Sequence, residues 1–305
     1  MFARLIQKAK HSNLLGILMF IPKWVRKKLH RVRWYAFMKY YEKVVESGQL
    51  IIAPENFPGR FIVSATSDLA KRVITFGNFE PELTSLLEHF SDIDGEIVNI
   101  GANVGFYSVF FARTFQGANR VIAIEPNPEA FAMLKSNIAL NELDGRIVPI
   151  QVCVGEKTGQ VDFSFIPGKS EYSSISGISH HAVRGLEQET IAIDIMPLGE
   201  ATAGHLSDPK MIFIDTEGAE LLVLKGAEDI VKNSMPILIF ECEDPLLVEF
   251  GHSSEELESY VAGLGYEVRN AADTTRKLVH PFTGVAVAVP VGEEEFSSTF
   301  GTSRH

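Results

Sequence analysis

The chemistry-bearing residues of this chain are a pair of glycines and a spaced set of carboxylates. Gly101 and Gly105 bracket Ala102-Asn103-Val104 directly after the strand-like run Glu96 to Ile100, and Glu125 stands 24 residues after Gly101. A strand that ends in a glycine-bearing turn and opens a helix lets backbone N–H groups meet a ligand closely, because glycine has no Cβ to hold it off. A carboxylate ending the next strand at this distance is suited to bridging the two hydroxyls of a ribose. The competing role for Glu125 is to cap the helix that Pro126 and Asn127 introduce. Further on, Asp215 and Glu217 follow the apolar run 211–214, and Glu241 and Glu243 follow the run 236–240. Carboxylates at neighbouring strand ends can take the proton of an alcohol, or two of them can hold a divalent cation that acidifies it. The spacing leaves the metal unknown. Asp215 is the favoured functional acid, with Glu217 and Glu243 beside it. Glu217 and Glu220 could instead cap the following helix, where acids are favourable.

The glycine turn departs from Gly-x-Gly-x-x-Gly, since Asn103 and Val104 precede Gly105, which counts against a nicotinamide dinucleotide. No Lys follows it in the P-loop manner. Gly168-Lys169-Ser170 lacks the leading glycine of such a loop, because Phe163 stands there. A nucleoside cofactor without phosphates fits better, and S-adenosylmethionine is the common one.

These groups need a sheet to position them. Strands are expected at 96–100, 120–124, 147–154, 211–214 and 236–240, alternating with helices after Ser108, after Asn127 and from Ala219 to Val231 with a break at Gly226. Asn127 is a good N-cap with Pro128 at the first helical position. The alternation implies an α/β fold, a parallel sheet with helices on both faces. Ahead of it, 60–64 and 72–76 read as short strands and 81–90 as a helix. An insertion of changed rhythm runs from about 156 to 209, with a hairpin-like 161–166, a polar loop 167–185 and a strand 190–195. A helix at 254–264 and strands at 266–269 and 284–289 close a domain spanning 46–292, and 293–305 reads as a polar tail. In the insertion, His180 and His181 could close over a substrate, although a loop histidine is more often plain surface.

The chain has 305 residues, 46% of them hydrophobic, enough for a sizeable core. Its net charge of −11 divides unevenly. Residues 1–43 carry eleven Lys or Arg against the single acid Glu42. Within 1–45, Val25, Leu29, Val32, Ala36 and Tyr40 recur at helical spacing between basic faces, so this segment suits an anionic membrane surface or packing against the domain; being acid-poor and Arg-containing it could also be a transit peptide, although it has little Ser. Leu14 to Ile21 is too short to span a bilayer, which takes about 20 residues. Basic residues follow it where a signal peptide would have its cleavage site. Cys153 and Cys242 are the only cysteines and lie in apolar runs, against a disulfide framework and in favour of a reducing compartment. The expected location is cytoplasmic, with the leader at the inner face of a membrane as one option. No aromatic and basic pattern specific to nucleic acid is present.

Asn99-Ile100-Gly101-Ala102-Asn103-Val104-Gly105 with Tyr107-Ser108, Glu125-Pro126-Asn127, and Ile214-Asp215-Thr216-Glu217-Gly218-Ala219-Glu220 running into Leu224-Lys225-Gly226-Ala227 resemble the FkbM family of S-adenosylmethionine-dependent methyltransferases. The resemblance covers about Glu80 to Glu243. It implies a Rossmann-like class I methyltransferase fold, whose seven-stranded sheet ends in an antiparallel strand, and methyl transfer to oxygen, often a hydroxyl of a sugar or a polyketide; here a saccharide or glycolipid acceptor is expected. It also implies that Gly101, Ala102, Asn103 and Gly105 surround the methionine part, that Glu125 holds the ribose, and that Val152-Cys153-Val154 lies near the adenine. Ser108, Pro126 and Asp215 join the cofactor set. Asn99 stands where the family usually has Asp, which leaves a weaker acceptor near the methionine amino group. Two alternatives stay open: a nicotinamide-linked dehydrogenase on a related fold, and a non-catalytic adaptor for a membrane or partner that keeps the fold.

Overall fold

The structure is a computed structural model that describes residues 48–292 apart from 116, 176 and 178–184. The expectations for the leader 1–45, for His180 and His181, and for the tail 293–305 lie outside the described residues. Strands β1 (Gln49–Ile52) and β2 (Phe61–Ser64) form an antiparallel pair. Helix α1 (Asp68–Phe76) follows, which corrects the strand expected at 72–76. The β-branched run Val73-Ile74-Thr75 suggested extension, but Ser67 accepts from the Ala70 amide as an N-cap, and Gly77 ends the helix in the left-handed region at φ 80°. Capping at both ends outweighs the weak strand preference of three residues.

After α2 (Pro81–Glu88), strand and helix alternate as β3 (Gly95–Ile100), α3 (Phe106–Thr114), β4 (Ala118–Ile124), α4 (Pro128–Leu140) and β5 (Ile147–Ile150). The single strand expected at 147–154 is two. The chain leaves the main sheet after Ile150, and β6 (Cys153–Val154) pairs instead in a second, four-stranded sheet with β7 (Gly159–Ile166), β8 (Lys169–Ser174) and β9 (Glu189–Met196), ordered β6-β9-β7-β8. Strand β8 lies within the stretch expected to be a polar loop. Its sequence, Lys-Ser-Glu-Tyr-Ser-Ser, has no apolar alternation, and every residue of it is half-buried, so no one-sided pattern marks it.

The main sheet resumes through α5 (Leu198–Ala201), β10 (Pro209–Ile214), α6 (Glu220–Gly226), α7 (Glu228–Ser234), β11 (Ile237–Glu243), α8 (Asp244–Leu247), α9 (Ser254–Gly263), β12 (Tyr266–Asn270) and β13 (Thr283–Pro290). Its order is β12-β13-β11-β10-β3-β4-β5, parallel except for β13, which runs antiparallel to both neighbours. Side chains alternate between two cores as strand geometry requires. Ile97, Val121, Ala123, Met211 and Phe213 pack on the face with α3 and α4. Val98, Ile100, Ile122, Ile124, Ile212 and Ile214 pack on the face with α6, α7 and α9. The chain goes from β3 outward to β5, then returns to add β10 and β11 on the other side. The order therefore reverses between β3 and β10, where a ligand crevice is expected beyond the carboxyl ends of the strands.

Candidate functional site

The loops at this switch point are held by main-chain bonds. The amides of Gly101 and Ala102 both donate to Ile124 O, at 3.0 and 2.9 Å, the Asp215 amide donates to Ile100 O at 2.9 Å, and the Glu125 amide donates to Ile150 O at 3.0 Å. Four strand ends, of β3, β4, β5 and β10, are thereby fixed relative to one another. Gly101 has φ +82°, and a Cβ there would lie 1.7 Å from the carbonyl oxygen of Asp215. Gly105 has φ +94° and would push against Leu134 at 2.7 Å. Glycine is needed at both positions for conformation and for room.

A cleft of about 760 Å³, part of it open to solvent, lies over these ends. Of the residues expected to bind a cofactor, Gly101, Asn103, Glu125, Pro126, Cys153 and Asp215 line it, as do Val152, Val154 and Glu217. Asn99, Ala102, Gly105 and Ser108 are not among the lining residues; they are buried behind the turn. Strand β8 contributes Ser170, Glu171 and Ser173 to the wall. Ser170 Oγ donates to Asn103 Oδ1 at 2.7 Å, and Asn127 Nδ2 donates to Ser173 Oγ at 3.0 Å, so the hairpin is tied to the motif turns. Burial, and the nearby Glu125 carboxylate, push the Cys153 thiol up to about 12, so it is a small apolar wall residue rather than a nucleophile.

S-adenosylmethionine fits this donor and acceptor set. Glu171 Oε2, in the cleft wall, is a buried acceptor without a hydrogen-bond partner. A ligand that carries donors would satisfy a group that otherwise costs stability. Glu125 accepts from the Asn103 amide at 2.6 Å and from the Asn127 amide at 2.8 Å, one on each carboxylate oxygen. Burial nevertheless raises it to about 7, outweighing the two amide donors that favour the charged form. Ribose hydroxyls would donate to the carboxylate, so binding should favour its ionised form. The affinity for S-adenosylhomocysteine should therefore rise about tenfold per pH unit up to pH ~7 and level off above it. Glu125→Gln should abolish that slope and weaken binding about 10- to 100-fold at pH 8, the loss of one charge-assisted contact. Calorimetry across this pH range would show both effects, and a flat profile in the unaltered protein would rule out Glu125 as the ribose ligand.

Strand register explains the position of Asn99. It shares a face with Ile97 and points to α3, where its Nδ2 donates to Ser108 Oγ at 2.8 Å. Asn99→Asp should tighten S-adenosylhomocysteine binding about fivefold, because a charge-assisted acceptor gains about 1 kcal/mol over a neutral one. Equal dissociation constants for the two proteins would mean that this side chain does not sense the ligand.

A second cavity of about 680 Å³ opens on the other side of Asp215, lined by Glu80, Glu82, Leu83, Phe213, Ile214, Asp215, Glu241, Glu243, Gly284 and Val285. Asp215 borders both spaces. Glu243 faces the second cavity and Glu217 the first, so the three expected acids are divided between them with Asp215 in common. Burial raises Asp215 well above the usual carboxylate range, reinforced by Glu217 and Glu80. It likewise raises Glu217 to about 8, reinforced by Glu220 and Glu243. Glu217 is also held at φ +54°, a left-handed conformation uncommon outside glycine. Glu220 has the capping role: its Oε1 accepts from the Thr216 amide at 3.0 Å, from the Thr216 hydroxyl at 2.9 Å and from the Gly218 amide at 3.2 Å. Among the described residues no three His, Cys, Asp or Glu side chains converge as a metal site requires.

Four residues of these walls were not singled out from sequence. Glu80 precedes α2 in the left-handed region at φ 43°, and its carboxylate accepts a hydrogen bond from the Tyr107 hydroxyl. Its pairing with a motif tyrosine 27 residues away leaves no local trace. Glu241 was noted only as one of the acids at its strand end. Ser170 and Glu171 lie on the strand that carried no periodic signal.

The model of the methyltransferase FkbM domain matches residues 99–268. Among curated relatives, methyltransferase sdnD of Sordaria araneosa is 26% identical over 44% of this chain and 60% of its own length. Hexuronic acid methyltransferase AglP of Haloferax volcanii is 26% identical over 58% of this chain and 67% of its own. The chain thus spans about three fifths to two thirds of these relatives. Among solved structures, methyltransferase FkbM of Methylobacillus flagellatus KT aligns at a TM-score of 0.42 and 16% identity, covering 73% of this chain and 55% of that one. With the family model covering more than half of the sequence and both glycine and acid motifs within its span, the chain belongs to the FkbM family of S-adenosylmethionine-dependent methyltransferases.

Proposed function

We propose that this protein transfers a methyl group from S-adenosylmethionine to a hydroxyl oxygen, on a saccharide or glycolipid acceptor. The position of Asp215 carries this reading: one buried carboxylate borders both the cleft suited to the nucleoside and the adjoining cavity. The name of AglP supports a sugar acceptor.

When bound, S-adenosylmethionine supplies a methyl group on a positively charged sulfur. The protein's part is to align the acceptor and to remove its proton. The turn from Gly101 to Gly105 and Glu125 would hold the cofactor, and Val152 to Val154 would flank its base. Asp215 would take the hydroxyl proton, and burial, which raises its proton affinity above that of an ordinary carboxylate, makes it a stronger base than an exposed one. Glu217 and Glu243 flank it from the two cavities. Calorimetry with S-adenosylhomocysteine and, separately, with a nicotinamide dinucleotide tests the assignment. Saturable binding of the first alone is expected; binding of the dinucleotide alone would make this a dehydrogenase-type site. Retained S-adenosylhomocysteine binding without methyl transfer to any of a broad glycan panel would favour the adaptor.

A further inference from the structure

The second cavity has an unusual chemical balance. Glu80 and Glu82 face it from the start of α2, Asp215 from the end of β10, and Glu241 and Glu243 from β11. The other lining residues are apolar or glycine, and among the described residues no Lys or Arg lines it. The nearby Arg72 lies 3.9 Å from Glu80 Oε1 and is itself 61% exposed, so it screens the outer edge only. Tyr107 donates to Glu80 from α3 and adds no positive charge. Glu241 Oε2 is fully buried and has no hydrogen-bond partner. Burial and the neighbouring Asp215 and Glu217 raise Glu241 well above the usual carboxylate range. An apolar residue of similar size would spare the fold these repulsions, so the cluster is explained by what it receives.

A metal ion is a poor fit, because no three of the described acids converge on one point as a cation site needs. A larger organic cation can meet carboxylates spread around a wall, and its N–H groups supply the donors that the wall lacks. Resting on the methyltransferase reading, we propose that this cavity receives the methyl acceptor and selects a hydroxyl carried beside a protonated amine, as in an amino sugar, while rejecting carboxylate-bearing sugars. The acceptor class would then differ from the hexuronic acid named for AglP. Such an acceptor brings its hydroxyl to Asp215 while its ammonium group lies among Glu80, Glu241 and Glu243.

The test uses the full chain with three probes of matched shape: methyl glucosaminide, methyl glucoside and methyl glucuronide. Their binding is followed by ligand-detected NMR at equal concentration, with and without S-adenosylhomocysteine. The glucosaminide should bind at least about tenfold more tightly than the glucuronide, since opposed like charges are strongly disfavoured. Glu241→Gln with Glu243→Gln should shrink that ratio to about threefold or less as two carboxylates are removed. Each single substitution, close in shape to the original, should show part of the change should the double variant not fold. Magnesium chloride at millimolar concentration should not displace the glucosaminide. Equal or tighter binding of the glucuronide, no binding of any probe, displacement by magnesium, or a preference that survives in the folded variants would each overturn the assignment. Calorimetry with S-adenosylhomocysteine on the same sample separates the two readings. Cofactor binding with the wrong charge preference sinks only the acceptor class, and absent cofactor binding sinks the methyltransferase reading itself.

Discussion

Gly101→Ala is expected to lower the stability of the domain by about 2–5 kcal/mol and to abolish measurable binding of S-adenosylhomocysteine. Two costs combine. A left-handed conformation costs a residue with a Cβ roughly 1–2 kcal/mol. The new atom would also lie 1.7 Å from the carbonyl oxygen of Asp215, which is main chain and cannot swing aside. Relief requires the ends of β3 and β10 to part, and overpacking of this kind costs roughly 1–3 kcal/mol or more. Parting those ends breaks the bond from the Asp215 amide to Ile100 O and moves the acid shared by both cavities. Urea unfolding followed by circular dichroism measures the stability loss as a lower midpoint with an unchanged slope. An unaltered midpoint would mean that the turn is looser than its bonding indicates.

Asp215→Asn should have the largest effect on turnover. Loss of a general base lowers kcat by about 10²- to 10⁴-fold, and the amide, which nearly matches the shape, should leave the dissociation constant for S-adenosylhomocysteine within about tenfold. A transfer assay with an identified acceptor, paired with calorimetry, distinguishes this from general damage: parallel losses in both would place Asp215 in binding instead. The same substitution has a signature in stability. Burial, Glu217 and Glu80 raise the proton affinity of Asp215 in the folded state, so between the unfolded carboxylate value and the raised folded one the native protein binds more protons than the unfolded chain. Stability from this group is therefore present at low pH and lost as pH rises through that window. Asp215→Asn should flatten the decline, giving a variant that is less active yet relatively more stable at alkaline pH. A steeper decline would show that the carboxylate is held ionised by a partner.

The two substitutions share a physical basis. An active site that gathers acids in a buried place destabilises the fold around it, and the strands beneath must be well packed to tolerate that. Both cores are rich in fully buried aliphatic and aromatic side chains, and the central strands β3, β4 and β10 contribute to both faces. The acids are mounted at the ends of these strands rather than on long loops, which keeps their separations fixed.

Read from the sequence alone, the sheet and its glycine turn were legible because their signals are local. Buried parallel strands are short apolar runs, Asn127 with Pro128 marks a helix start, and a glycine turn between strand and helix marks a ligand site. The order of strands in the sheet, and with it the switch point between β3 and β10, comes from the fold. The antiparallel β13 was an implication of the family resemblance. What failed was local in a different way. Residues 72–76 carried β-branched side chains whose weak preference lost to a capped helix, and β8 had no pattern because both of its faces are half-buried.

Only tertiary structure could assign the acids. From sequence, Asp215 is favoured over Glu217 and Glu243, and Glu241 is one more strand-end carboxylate, but nothing says which space each faces. In the fold, Glu217 turns to the nucleoside cleft, Glu241 and Glu243 to the adjoining cavity, and Asp215 to both, while Glu220 is consumed in capping. Glu80 reaches the same cavity from outside the sheet through Tyr107. The reason is geometric. Which way a side chain faces at a strand end depends on the backbone turn that follows, here the left-handed Glu217, and on which distant segment packs over it. Neither quantity is written in residue type or spacing. The sequence by itself determined the scaffold and the family and pointed to the strand ends proposed to hold a nucleoside; the packing of α2, β8 and β11 around those ends decided which carboxylate faces which cavity.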